Sequence, residues 1–161
     1  MVLRTTSTVI TGGVLMFVAA CSVRAVGQAA SETTGVPFAT VAGGFSSGIR
    51  EPTQIVIRTH DEWVAFWGRH TRTQVAPPVA PAVDFSREMV VGVFLGEQAT
   101  GGYEVKITKV ERTGSELRVH YRRKAPDPGA ILVQALTQPY HVIKVSRDPG
   151  PLVFFRESLA R

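Results

Sequence analysis

The sequence predicts an α+β domain, mainly antiparallel β-sheet with one amphipathic helix packed on it, and three observations carry that prediction. Short β-branched runs recur at Gln54–Arg58, Met89–Leu95, Tyr103–Thr108, Leu117–Arg122, His141–Val145 and Leu152–Phe155. Only one stretch, Trp63, Phe66, Trp67 and His70, has the i, i+3, i+4, i+7 spacing of a helix stripe. Glycine and proline punctuate the intervals, as connections between strands require. A β-sandwich or an open barrel would arrange the same strands differently.

The chain opens with Arg4 and then the apolar run Val9–Ala20, the basic n-region and apolar h-region of an export signal covering residues 1–20. That run is too short to span a bilayer as a helix, which needs roughly 20 apolar residues. Val18-Ala19-Ala20-Cys21 resembles a bacterial lipobox, so Cys21 is expected to carry a diacylglycerol and to anchor the mature protein in a membrane. Cleavage after Ala25 or Ala29 is the alternative. Either route takes the protein out of the cytoplasm, to the cell envelope as a lipoprotein or to the periplasm or medium. Residues 21–45, rich in Ala, Gly, Ser and Thr, read as a lipidated or flexible tether, and residues 46–161 as one domain.

Within that domain Gln54–Arg58 is a first strand, and Thr59-His60-Asp61-Glu62 offers a capping box. The Thr59 hydroxyl accepts from the Glu62 amide while the Glu62 carboxylate reaches back to Thr59. The helix that starts there packs its tryptophans on a sheet and leaves His70 at the border of the stripe. Pro77, Pro78 and Pro81 make the next segment a surface connection. Met89–Leu95 is apolar throughout, as a central strand covered on both faces should be. Tyr103–Thr108 and Leu117–Arg122 alternate and form a hairpin through Thr113-Gly114-Ser115. His141–Val145 and Leu152–Phe155 read as a last pair joined through Asp148-Pro149-Gly150-Pro151.

Composition narrows the function. The net charge of +5, reduced to +4 without Arg4, is mildly basic and does not suggest a nucleic-acid partner. A single cysteine allows no intrachain disulfide, and His60, His70, His120 and His141 have no metal-ligand spacing, so no metal or cofactor is expected. Lys106, Arg118, Arg122, Arg123, Lys124, Lys144 and Arg147 could share a basic sheet face.

Two motifs remain. Ala99-Thr100-Gly101-Gly102-Tyr103 follows the apolar strand and reads as a tight turn whose glycines expose backbone amides. Thr137-Gln138-Pro139-Tyr140-His141 could bring an aromatic, a hydroxyl and an imidazole beside it, with Tyr140 plugging the sheet edge. Thr100 or Thr137 with His141 would make an incomplete hydrolase, since no third group orients the pair.

The stretch Val83–Tyr103, Ser47-Gly48-Ile49, the Trp63–Trp67 helix and Leu136–His141 together resemble the PrcB C-terminal domain family. That resemblance implies a non-catalytic domain of bacterial envelope proteins, often lipoproteins, whose name-giving member is an accessory subunit of a secreted protease complex. A protein partner, plausibly such a protease, would then meet Thr100, Gly101, Gly102, Tyr103, Thr137, Pro139, Tyr140 and His141. The two loops are also similar to those of chagasin-type protease inhibitors, although Gly101 stands where that family has a second threonine and Gln138 where it has a basic residue. The expected function is an exported, non-enzymatic accessory protein; the alternatives are a chagasin-like inhibitor and an envelope hydrolase.

Overall fold

A computed structural model describes residues 32–157, and these form two four-stranded sheets and one helix. The elements in chain order are β1 (Thr33–Gly35), β2 (Phe38–Gly44), β3 (Thr53–Ile57), α1 (His60–Thr71), β4 (Glu88–Phe94), β5 (Glu104–Thr113), β6 (Glu116–Lys124), β7 (Tyr140–Ser146) and β8 (Leu152–Glu157). One sheet runs β2-β7-β4-β3 and carries the helix; the far sheet runs β1-β5-β6-β8. All pairings are antiparallel except β6 with β8. The architecture is the expected α+β one, with the sheets stacked as an open sandwich.

The alternation of side chains along each strand decides the layers. Met89, Val91 and Val93 on β4, with Ile143 and Val145 on β7, turn toward the far sheet and meet Val105, Ile107, Val110, Leu117 and Val119. Val90, Phe94 and Val142 turn the other way and meet Trp63, Phe66 and Trp67 of the helix. Strand β4 is therefore covered on both faces, and its continuous apolar composition has a direct cause. The helix stripe predicted from sequence is the buried stripe. Both indole nitrogens donate to the proline segment, Trp63 to the Pro81 carbonyl at 2.9 Å and Trp67 to that of Pro78 at 2.8 Å. The segment is thereby held along the helix despite lacking a ladder of its own.

Several expectations are corrected. Residues 33–35 and 38–44 are strands, so the ordered domain starts well before residue 46. β2 has little hydrophobic signal because it is a half-exposed edge whose two large apolar residues, Phe38 and Val41, turn to opposite cores and are otherwise set among Ala, Thr and Gly. The Gly96–Gly102 segment is not a hairpin turn, since β4 and β5 lie in different sheets and the segment crosses between them. β7 and β8 do not pair either. The Asp148–Pro151 turn likewise carries the chain across the sandwich, where β8 adds in parallel to β6. Thr59 caps the helix, but the Glu62 carboxylate accepts from the amide of Arg58 at 3.3 Å and not from that of Thr59. The basic residues divide: Arg118, Arg122 and Lys124, at even positions of β6, share the outer face of the far sheet with Lys106, the cross-strand partner of Arg122, whereas Lys144 and Arg147 lie on or just after β7. Lys106, Arg122 and Lys124 line one shallow depression beside β5 and β6, while Lys144 pairs with Glu88 and Arg147 donates to the carbonyls of Arg58 and Phe85.

His70 is not a border residue: it is 1% exposed. Its Nδ1 lies 2.8 Å from the Ser47 hydroxyl, which also accepts from the Ile49 amide at 3.0 Å. The Gly48 amide donates to the His70 carbonyl at 2.7 Å, filling an acceptor that the helix end leaves open. A Cβ on Gly48 would stand 2.2 Å from the Arg69 carbonyl oxygen, so only glycine allows this approach. The Ser47-Gly48-Ile49 sequence thus exists to seal the helix terminus.

Candidate functional site: the loop end of the sandwich

The two sequence-predicted loops meet. Gln98 and Thr137 exchange backbone hydrogen bonds of 2.7 and 3.0 Å, and the Thr137 hydroxyl donates to the Thr100 carbonyl at 2.9 Å. A third and a fourth segment join them, because the Gly101 amide donates to the Val133 carbonyl at 2.9 Å and the Gln138 amide to that of Phe45, just after β2, at 2.7 Å. The Leu95 amide takes the Pro139 carbonyl, closing the loops onto the end of β4. Gly102 has φ +84°, and a Cβ there would lie 3.0 Å from both Leu132 and Pro126, which accounts for the glycine in the motif. Tyr103 lies under the Arg123 guanidinium, 5.5 Å from ring centre to Cζ.

The motif residues divide by what they face. Thr100, Gly101, Gly102 and Thr137 belong to the loop surface, all at least partly open to solvent. Pro139 is buried. Tyr140 does not plug a sheet edge, because β7 is an interior strand. Its ring stands edge-on to His70 with centroids 4.4 Å apart and stacks on Phe94 at 5.6 Å. Burial raises its phenol pKa. His141 points between the sheets, accepting from the Ile107 amide at Nδ1 (3.1 Å) with Nε2 3.2 Å from the Thr40 hydroxyl. Burial first, and then the Lys106 charge, lower its pKa, with Glu104 acting against them. This imidazole bridges the two sheets.

Sequence reasoning missed the apolar side chains around the loops. Ile131, Val133, Leu136 and Phe45 are exposed by 103, 72, 62 and 56%, and all four lie on the segments whose backbones meet at this end of the domain. The Ile131-Leu132-Val133 run after Pro126-Asp127-Pro128-Gly129 was its sequence signal, an apolar triplet without alternation in a loop. Neither His70 nor His141 is hydrogen-bonded to a carboxylate among the described residues; the one such histidine is His120, 2.8 Å from Glu111.

A sequence model of the family described as PrcB C-terminal matches residues 89–146, from the first buried residue of β4 to the end of β7. Over those residues the chain is similar to the PrcB C-terminal family. No curated protein and no solved structure matches the chain. The matched segment contains the central strands of both sheets and both loop motifs, while β1, β2, β3, α1 and β8 complete the layers around it. Residues 1–20 and Cys21, where the export signal and lipid attachment are expected, lie outside the described residues.

Proposed function

We propose that this protein is an exported, non-catalytic accessory protein of the bacterial cell envelope. Lipidated Cys21 anchors it, and the loop end of its domain binds a protein partner, a secreted protease being the partner that the similarity to the PrcB C-terminal family suggests. One observation carries the reading. Loops that the family motifs build are locked together by backbone hydrogen bonds, and the segments bonded to them carry four exposed apolar side chains. A rigid, partly apolar patch on loops is how a scaffold presents a protein contact. Support against an enzyme comes from the histidines: His141 and His70 are held in structural hydrogen bonds, and neither meets an acid that could orient it.

The inhibitor reading has less support, because Pro139 is buried and Tyr140 is turned onto His70, so neither stands at a loop tip to enter a cleft.

The test is affinity capture from detergent-solubilised envelope in the native host. Wild-type protein is expected to recover a defined partner, and Val133→Asp with Leu136→Asp to lose it while the thermal transition is kept. Equal recovery by the double variant would remove the loop end from the interface. Labelling with a palmitate analogue tests the anchor, and label persisting in Cys21→Ala would rule it out.

A further inference from the structure

The far sheet has an incomplete edge beside the loop end. β1 pairs with β5 only at Glu111, Arg112 and Thr113, and one more bond runs from the Val36 amide to the Val110 carbonyl. Pro37 follows, without an N–H to give, and the chain crosses into the other sheet as β2. Among the described residues no strand lies beside the remaining half of β5 on that side. Ile107 faces the gap, and its amide is occupied by the His141 imidazole. Two residues earlier in the strand, the N–H and C=O of Val105 point the same way by the pleat's period of two. They open on a cleft of about 280 Å³ whose opposite wall is Gly43 and Gly44 at the end of β2, and whose rim includes Phe45.

Charge marks what would fit. Lys106 stands directly across from Arg122 on β6, a like-charged pair that opposes sheet stability. Arg122 is 3.4 Å from Glu157 and Lys124 is 3.9 Å from Asp127, whereas Lys106 and Glu104, two residues apart on the same face of β5 and both at the cleft, make no ion pair among the described residues. A strand added beside β5 would place alternate side chains outward next to Lys106 and inward toward the glycine wall, where there is no Cβ to obstruct them.

We propose that the open edge of β5 at Val105 receives an extended segment of the partner protein, added as a strand with an acidic side chain turned toward Lys106 and apolar ones turned into the cleft. The existence of a partner rests on the accessory-protein reading; the place where its segment docks does not.

The experiment uses the full-length chain in detergent and three peptides: Val-Glu-Val-Glu-Val, its lysine counterpart, and the glutamate peptide N-methylated at alternate residues. The glutamate peptide is expected to bind and, at ten times its Kd, to slow exchange of the Val105 amide about tenfold. The lysine peptide should bind roughly fivefold more weakly, and Lys106→Glu, at an exposed position, should reverse that order. N-methylation on the pairing edge should abolish binding. Equal binding of the N-methylated peptide, an unchanged Val105 exchange rate, or a preference insensitive to Lys106→Glu would each overturn the proposal. So would a concentration-dependent dimer that protects Val105 without peptide, since the occupant would then be a second copy. Envelope capture separates the two readings. Capture lost with Val133→Asp and Leu136→Asp but kept with Lys106→Glu sinks strand addition alone, whereas no capture by the wild type sinks the accessory role and leaves the peptide result to judge the edge.

Discussion

Acid should unfold this domain through His70, and the size of the effect can be worked out. The imidazole is enclosed by Phe66, Trp67, Phe94 and Tyr140, and burial lowers its pKa from 6.5 to about 4. Protonation would fix Nδ1 as a donor to the Ser47 hydroxyl, and would place a charge among aromatic rings. The folded pKa lies below the unfolded one, so between these values the unfolded chain holds a proton that the folded chain refuses. The stabilisation is therefore complete above pH 6.5 and is lost as pH falls toward 4. At 1.36 kcal/mol per unit, the loss between pH 7.5 and pH 4.5 is about 2.5 kcal/mol from this residue alone. Urea unfolding at the two pH values measures it, with His70→Asn as the reference because Asn keeps an acceptor near Nδ1 and does not titrate. The variant starts from lower stability, having lost ring packing, but its free energy should fall about 2.5 kcal/mol less than that of the wild type over the interval. His141, also depressed, contributes equally to both proteins and cancels. Parallel pH dependences would refute the assignment.

Three further outcomes follow from local geometry. Gly48→Ala should cost about 2–4 kcal/mol in urea unfolding, because its Cβ meets the Arg69 carbonyl, which is helix backbone and cannot swing aside. Thr59→Ala should cost about 1 kcal/mol, measured in the same way, since the hydroxyl caps the Glu62 amide; Thr59→Ser should restore nearly all of it. Asp148 is 2% exposed, paired with Arg112 and accepting from the Gly150 amide at 2.7 Å, so Asp148→Ala should cost about 3 kcal/mol by leaving that amide and the guanidinium without their acceptor. A thermal transition unchanged by Asp148→Ala would show the turn to be held by other contacts.

The sequence was legible where local chemistry and burial agree. Trp63, Phe66 and Trp67 repeat at helical spacing because one helix face is buried, and Met89–Leu95 is apolar throughout because both faces of β4 are covered. The hairpin of β5 and β6 was readable for the same reason, with Gly114 at φ +60° providing the turn. Sheet membership was not legible. Gly96–Gly102 and Asp148–Pro151 have the composition of hairpin turns, yet each connects strands of different sheets, and only long-range pairing decides between those outcomes. β2 escaped notice because an edge strand with only Phe38 and Val41 among small residues has no hydrophobic alternation to reveal it.

The same distinction applies to the loop motifs. Thr100, Gly101, Gly102 and Thr137 form the loop junction, while Tyr140 and His141 from the adjoining motif support it from beneath, one on the helix side and one between the sheets. Substituting Tyr140 or His141 would therefore disturb packing before it could report on binding. Gly102→Val has the same defect, since valine is strained at φ +84° and would press on Leu132 and Pro126. Side chains suited to probe an interface are those with no role in the fold, and in this domain they are Val133 and Leu136 on the third loop and Lys106 at the open edge of β5. A motif marks where the scaffold must be exact in shape; the surface it holds out can lie in less distinctive sequence beside it.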